Sequence, residues 1–345
     1  MVDIERYTPD DRRGTEQLYR RTFGIESADR VRLRWDWERR NPAGGVEPQY
    51  WVVREGPTLI AAIALTPVRV AIAGVEAAGT WSADPLVVAE RQRQGLGSAL
   101  LRAWDRGTGV ALGAGLSSAT RGRLDELRWP HAQPLPCLVK PLSRRAFRIP
   151  TWPVAINRLV SALTLPVVRV VSRAQPLKEE VEVVRRFDLS VDRLWDRLAD
   201  RFAISVRRDA RYLNWKFIEP PHVRYTAAVL RRGDDVQGYV VYRHLREPQG
   251  RVTQIVDLLA DPADERGLKT LARWVDREAR MADSDKIRCY ATHSAIRRVL
   301  RRSGYFVVKS DIDITVKVNA VNVAPGFYGS ADDWHFTLGD GDLDH

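Results

Sequence analysis

What most limits the fold of this chain is an order of elements that runs through twice. In the first pass a helical pattern toward Phe23, with Leu18, Tyr19 and Phe23 expected inward, leads to Trp37 and, five residues later, Pro42. In the second, a helix over 191–202 with Leu194, Trp195 and Leu198 inward leads to Trp215 and, again five residues later, Pro220. Asp36 and Asn214 precede the two tryptophans, and Phe23 and Phe202 stand fourteen and thirteen residues before them. Each pass continues with a hairpin, turning at 55–57 and at 232–235, and then strand, helix, strand and helix. Self-similarity at this scale marks a tandem duplication of one α/β unit. The expected class is α/β (α+β), with two mixed, mainly antiparallel sheets flanked by helices. At 345 residues the chain has the length for about two domains. The reading divides it into 1–145, an apolar helical linker over 146–184, a second copy over 185–319 and a polar tail over 320–345. In the first copy Leu135–Val139 is taken as the last strand. In the tail, Trp334 and Phe336 are expected to dock and the remainder to be loosely held.

The stretch 84–105 is the most informative part of the first copy. Leu86-Val87-Val88 is short and apolar enough for a buried strand, and Leu96, Ala99, Leu100, Ala103 and Trp104 recur at helical spacing. Between them lies a polar loop with Gly95 and Gly97. Strand, glycine loop and helix together bring backbone N–H groups to the positive end of a helix, where an anion is held. Without a third glycine this is no dinucleotide fingerprint, and without Gly-Lys-Ser/Thr it is no P-loop.

Gln92-Arg93-Gln94-Gly95-Leu96-Gly97 fits Q/R-x-x-G-x-G/A and resembles the acyl-CoA signature of the GNAT superfamily of N-acyltransferases. The resemblance implies two tandem GNAT-like domains, with acetyl-CoA (or another acyl-CoA) bound by the first. It implies that the 92–99 loop, including Ser98 and Ala99, holds the pyrophosphate through the amides of Arg93 to Ser98. The backbone of Leu86, Val87 and Val88 would pair with pantetheine on a strand that splays from its neighbour, and Asp84 would be the general base. The family's usual acid, a tyrosine in Y-x-x-x-G-F/W, is replaced by Leu124 before Trp129 and by Leu300 before Tyr305. Either Ser117, Ser118 or water is then left to protonate the thiolate, or it leaves unassisted. The implied acceptor is a small-molecule amine, such as an amino sugar or a natural-product intermediate. The alternatives are a non-catalytic acyl-CoA-binding protein and a longer-chain acyltransferase working near the membrane.

The copies differ at the loop. Asp84 to Trp104 spans twenty residues, whereas its match, Asp257 to Trp274, spans seventeen. What remains, Asp261-Pro-Ala-Asp264-Glu265-Arg-Gly267, carries three carboxylates that would repel a pyrophosphate. The second copy is therefore expected to be degenerate. Cys137 and Cys289 stand far apart without metal-ligand spacing, so no metal is expected and a reducing cytoplasm is the expected compartment. The net charge of +11 comes from arginines scattered along the chain, which disfavours a nucleic-acid partner. The apolar run 153–171 is interrupted by Arg158, Pro166 and Arg169, so helices packed at the junction are expected rather than a membrane span or surface. His131 and His293 are read as surface or packing residues. Oligomeric state is not legible.

Overall fold

The computed structural model describes residues 3–45, 49–83, 85–147, 153–172, 180–310, 312–324 and 326–341. The first half runs β1 (Glu5–Arg6), α1 (Arg12–Phe23), α2 (Ile25–Glu38), β2 (Gln49–Glu55), β3 (Thr58–Ile72), β4 (Val75–Ser82), β5 (Leu86–Val87), α3 (Leu96–Gly107), β6 (Val110–Ala114), α4 (Ser118–Glu126), β7 (Gln133–Pro134) and β8 (Cys137–Pro141). After α5 (Val154–Ser172) come β9 (Glu180–Val184), α6 (Ser190–Leu198), β10 (Ile204–Val206), α7 (Ala210–Leu213), β11 (Thr226–Arg232), β12 (Asp235–Glu247) and β13 (Gly250–Ala260). The chain ends with α8 (Glu265–Met281), β14 (Lys286–Tyr290), α9 (Ser294–Arg302), β15 (Phe306–Val308), β16 (Asp313–Val318) and β17 (Trp334–His335). The expected α/β class and the two mixed, mostly antiparallel sheets are what is found.

The front sheet has the order β1-β2-β3-β4-β6-β16-β7, and the rear sheet β15-β8-β14-β13-β12-β11-β9. The last strands of the two halves are exchanged. β8 lies between β14 and β15 of the rear sheet, with Leu138 opposite Cys289, and β16 lies against β6 of the front sheet, with Thr315 opposite Gly113. Residues 135–139 are thus not a strand of their own half's sheet. Alternation of apolar residues fixes which face of a strand is buried, but not which sheet receives it. The exchange also brings the two cysteines, far apart in sequence, onto adjacent strands, where both are buried thiols rather than disulfide partners. Burial pushes the Cys289 thiol well up.

Three apolar cores result. One underlies the front sheet around Leu100, Leu101 and Trp104, and one underlies the rear sheet around Leu268, Leu271 and Val299. The largest lies between the halves and contains Trp37, Trp81, Trp195, Trp215, Trp334 and Phe336. At its centre the two repeat-matched tryptophans stack with centroids 4.6 Å apart and planes 5° from parallel. Trp37 Nε1 donates to the Trp215 carbonyl at 2.6 Å, and Trp215 Nε1 to the Trp37 carbonyl at 2.9 Å. Each indole satisfies the other's backbone, so the pair contributes about 1 kcal/mol beyond its buried area. The duplication read from sequence is visible here as a local two-fold relation.

Two expectations need correction. Within the tail, more is packed than Trp334 and Phe336: residues 334–340 are all buried, because Trp334, Phe336 and Leu338 complete the junction core. And α5 does not lie on the junction. It packs on β8 and the turn at 144–147, burying Ser161, Leu165 and Val168 while leaving its opposite side exposed.

Candidate functional site

The strand that ends in the glycine loop is held on one side only. Among the described residues β4 pairs in parallel with β6 from Gly79/Val110 to Ser82/Gly113 and no further. On its other side the strand stays on β3, as Ser82 opposite Leu65 and then Leu86 opposite Ala62, so the register differs by one residue between these two pairs. An extra residue at this point bends a strand and twists it away from its neighbour. The expected splay is present, and Pro85 stands in it, where a ladder donor is not needed. Asp84 lies outside the described residues.

The loop follows from local chemistry. Gly95 caps α3 with φ of 83°, a left-handed conformation that suits glycine, and Arg93 is also left-handed with φ of 63°. A non-glycine residue there stores about 1 kcal/mol of strain, as functional turns commonly do. No side chain caps α3, and its first internal bond of this kind is Ala99 N–H to the Gly95 carbonyl at 3.0 Å. Among the described residues the amides from Arg93 to Ser98 find no acceptor. They form a donor cluster at a positive helix end.

These groups open on a cleft of about 440 Å³ lined by Thr22, Phe23, Pro85, Leu86, Val87, the loop, Ser117, Thr120 and Arg123. Of the expected residues, Leu86, Val87, Gln92, Arg93, Gly95, Leu96 and Gly97 line it. Val88 does not: its side chain is buried and its N–H is taken by the Ile60 carbonyl at 3.0 Å. Gln92 braces the loop, donating from Nε2 to the Val87 carbonyl at 3.2 Å. Gln94 and Ala99 line an adjoining hollow with Arg102 and Arg106, whereas Ser98 lines neither. Among the described residues, the charged ones lining the main cleft are Arg91, Arg93 and Arg123, all cationic. Arg91 is held by Glu55 at 2.8 Å, while Arg123 has no carboxylate partner among the described residues. Its Nη1 sits 3.2 Å from where a Cβ on Gly97 would be, so glycine at 97 gives the guanidinium its place beside the loop.

Phe23 and Arg123 escaped the sequence reading. Helical spacing assigned Phe23 to the interior, but it is 57% exposed at the cleft, and Arg123 belongs to no motif. Leu124 and Leu300 are both core residues, 3% and 1% exposed, and each accepts the closing bond of a left-handed helix end. Trp129 N–H bonds to the Leu124 carbonyl at 3.0 Å and Tyr305 N–H to the Leu300 carbonyl at 3.1 Å. Neither lines the cleft described above. Ser117 caps α4 through the Thr120 amide at 3.3 Å and lines the cleft, whereas Ser118 does not. His131 is exposed, and His293 is buried against Phe202 with burial holding it below the ordinary histidine value; neither lines the cleft.

The rear copy has the same geometry with different contents. β13 and β14 pair from Val252/Lys286 to Ile255/Cys289 and then part, which makes Asp257 the counterpart of Asp84. The tail enters this notch and bonds to both lips. Gly339 N–H reaches the Val256 carbonyl at 2.8 Å, Thr292 N–H reaches the Phe336 carbonyl at 3.1 Å, and Ala291 bridges Thr337. Asp257 is locked at 1% exposure between Arg208 at 3.1 Å, the Tyr239 hydroxyl at 2.7 Å and the Thr337 hydroxyl at 3.0 Å. Arg208 also holds Asp340 at 2.6 Å. Burial and the Asp257 charge keep Asp340 above the usual carboxylate range despite that guanidinium. At the loop, Asp264 accepts from Gly267 N–H at 3.0 Å and Asp261 from Ala263 N–H at 2.8 Å. The carboxylates expected to repel a phosphate hold the amides that would otherwise bind one.

No family model and no curated protein sequence matches the chain. Among solved structures it is similar to a GCN5-related N-acetyltransferase from Anabaena variabilis, 12% identical with a TM-score of 0.61, over 92% of this chain and 73% of that one. A probable N-acyltransferase from Enterococcus faecalis is 11% identical with a TM-score of 0.60, over 93% and 73%. Saccharomyces cerevisiae N-myristoyltransferase with bound myristoyl-CoA is 14% identical with a TM-score of 0.56, over 92% and 79%. At these identities what is shared is the fold, and it spans both halves. With its splayed strand, glycine loop and doubled sheet, the chain has the GNAT fold.

Proposed function

We propose that the chain is an acyl-CoA-dependent N-acyltransferase, transferring the acyl group, with acetyl-CoA first in line, to an amine of a small molecule. The observation that carries this reading is that a half-free strand edge meets, in one cation-lined cleft, the amides of Arg93, Gly95, Leu96 and Gly97, which have no acceptor among the described residues. The amides and Arg123 would hold the pyrophosphate, and the free edge of Leu86–Val87 would take the pantetheine amides as a further strand would. A strand N–H would polarise the thioester carbonyl. Asp84, directly before the cleft-lining Pro85 in sequence, would accept the proton of the attacking amine. The amine nitrogen then bonds to the carbonyl carbon, the C–S bond breaks, and the thiolate leaves. A thiol of ordinary pKa, about 8.5, is a tolerable leaving group at neutral pH. With leucine at 124, its proton comes from the Ser117 hydroxyl or from water.

The test is thiol release from acetyl-CoA and longer acyl-CoAs across a panel of amines, with calorimetry for binding. Asp84→Asn is expected to lower kcat about 100-fold while leaving acyl-CoA affinity within about twofold. Acyl-CoA binding without turnover on any amine overturns the enzymatic part of this reading, and absence of binding overturns all of it.

A further inference from the structure

The nineteen-residue α5 is apolar on both sides. Its inner side is Ser161, Leu165 and Val168, and at 100° per residue Ile156, Leu159, Leu163, Val167 and Val170 form a stripe directly opposite. They are 45%, 60%, 66%, 57% and 63% exposed. The edge strand β15 exposes Phe306, Val307 and Val308 as well, and the inner side of α5 packs near it, with Val168 3.6 Å from the Cβ position of Gly304. A stripe of five exposed apolar side chains on one helix of a charged protein is there to be covered.

Its surroundings say by what. Residues 127–178 contain nine lysines and arginines and no acidic residue, and residues 286–310 contain seven and none. These two segments build α5, β8, β14, α9 and β15, which lie together at one end of the rear sheet. Arg144, Arg145, Arg158, Arg301 and Lys309 are exposed there without a carboxylate partner among the described residues. A second copy docked on the same face would set like charge against like. We propose that this face rests on an anionic lipid surface, with the α5 stripe in the interface and the basic rim over the headgroups. Among the described residues no helix is long and apolar enough to cross a membrane, so α5 lies on the bilayer rather than through it.

The inference is independent of the acyltransferase reading and is tested without turnover, by sedimenting the full chain with vesicles. Vesicles containing roughly one third phosphatidylglycerol in phosphatidylcholine should bind it, pure phosphatidylcholine far less, and salt should release it. The double variant Leu159→Ser/Leu163→Ser should bind about tenfold more weakly, with unchanged circular dichroism because both side chains are exposed. Arg144→Glu/Arg145→Glu should abolish the preference for anionic vesicles. Equal binding of the native chain to both vesicle types overturns the proposal. So does a native dimer, without vesicle binding, that the serine variant turns into monomers.

Discussion

The front and rear notches are the same architecture put to different uses. In front, strands part and a helix begins with its donors unclaimed. Behind, equivalent strands part at equivalent residues, but the chain's own tail fills the gap and two aspartates cap the loop. If the front notch binds acyl-CoA as proposed, the contrast teaches that a duplicated binding site is not lost by becoming empty. Exposed amides and a free strand edge are costly to bury unmet. Once the ligand goes, the protein must supply the ligand's hydrogen bonds itself, and here it does so with Gly339, Asp261 and Asp264.

The largest expected effect separates the copies by stability. Arg208→Leu leaves Asp257 and Asp340 buried together without a cation and should cost about 3–5 kcal/mol in denaturant unfolding; a small loss would mean that the rear network is not what holds the tail. Next, Gly97→Glu puts a carboxylate and a Cβ where Arg123 lies. It should weaken acyl-CoA binding about 100-fold by calorimetry, whereas Asp264→Asn in the rear should leave that affinity unchanged and cost at most about 1 kcal/mol of stability. Equal sensitivity of the two loops would break the comparison.

A third difference is in pH. His335 lies in the rear plug, held well below the ordinary histidine value by burial and by Arg208, and His293 nearby is held down by burial. Both are neutral in the folded chain, so the unfolded chain takes up protons first. Stability should be full above the unfolded value of about 6.5 and fall with acidification below it, by about 2 kcal/mol near pH 5. His335→Phe should flatten that slope, measured as the difference in melting temperature between neutral and acidic buffer. Smallest, Arg123→Ala should weaken acyl-CoA binding about tenfold, with an effect that shrinks as salt is raised.

Much of this was legible in the residues. The Trp37–Pro42 and Trp215–Pro220 spacings announced the duplication, and the indoles proved to stack on one another. The glycine loop and the acidic substitute at 261–267 were legible because glycine and aspartate act through their own backbone. What failed depends on neighbours remote in sequence. The strand at 135–139 carried no mark of its destination in the other sheet. Trp334 and Phe336 revealed docking, but polar Thr337, Gly339 and Asp340 concealed that the whole segment is core. Phe23 had the spacing of an inward residue, and only the cleft explains its exposure. The stripe on α5 was plain as apolar sequence, but its solvent exposure was not.

The exchanged strands have a consequence for how the molecule comes apart. β8 is covalently part of the front half yet a structural member of the rear sheet, and β16 is the reverse. A cut between the halves, anywhere in 142–179, would release neither, since each fragment keeps a strand clasped inside its partner. Either half produced alone would have a missing rung in its sheet and an orphan strand seeking one. Melting should therefore be a single event for the whole chain, and mixing separately expressed halves should restore one folded species rather than two.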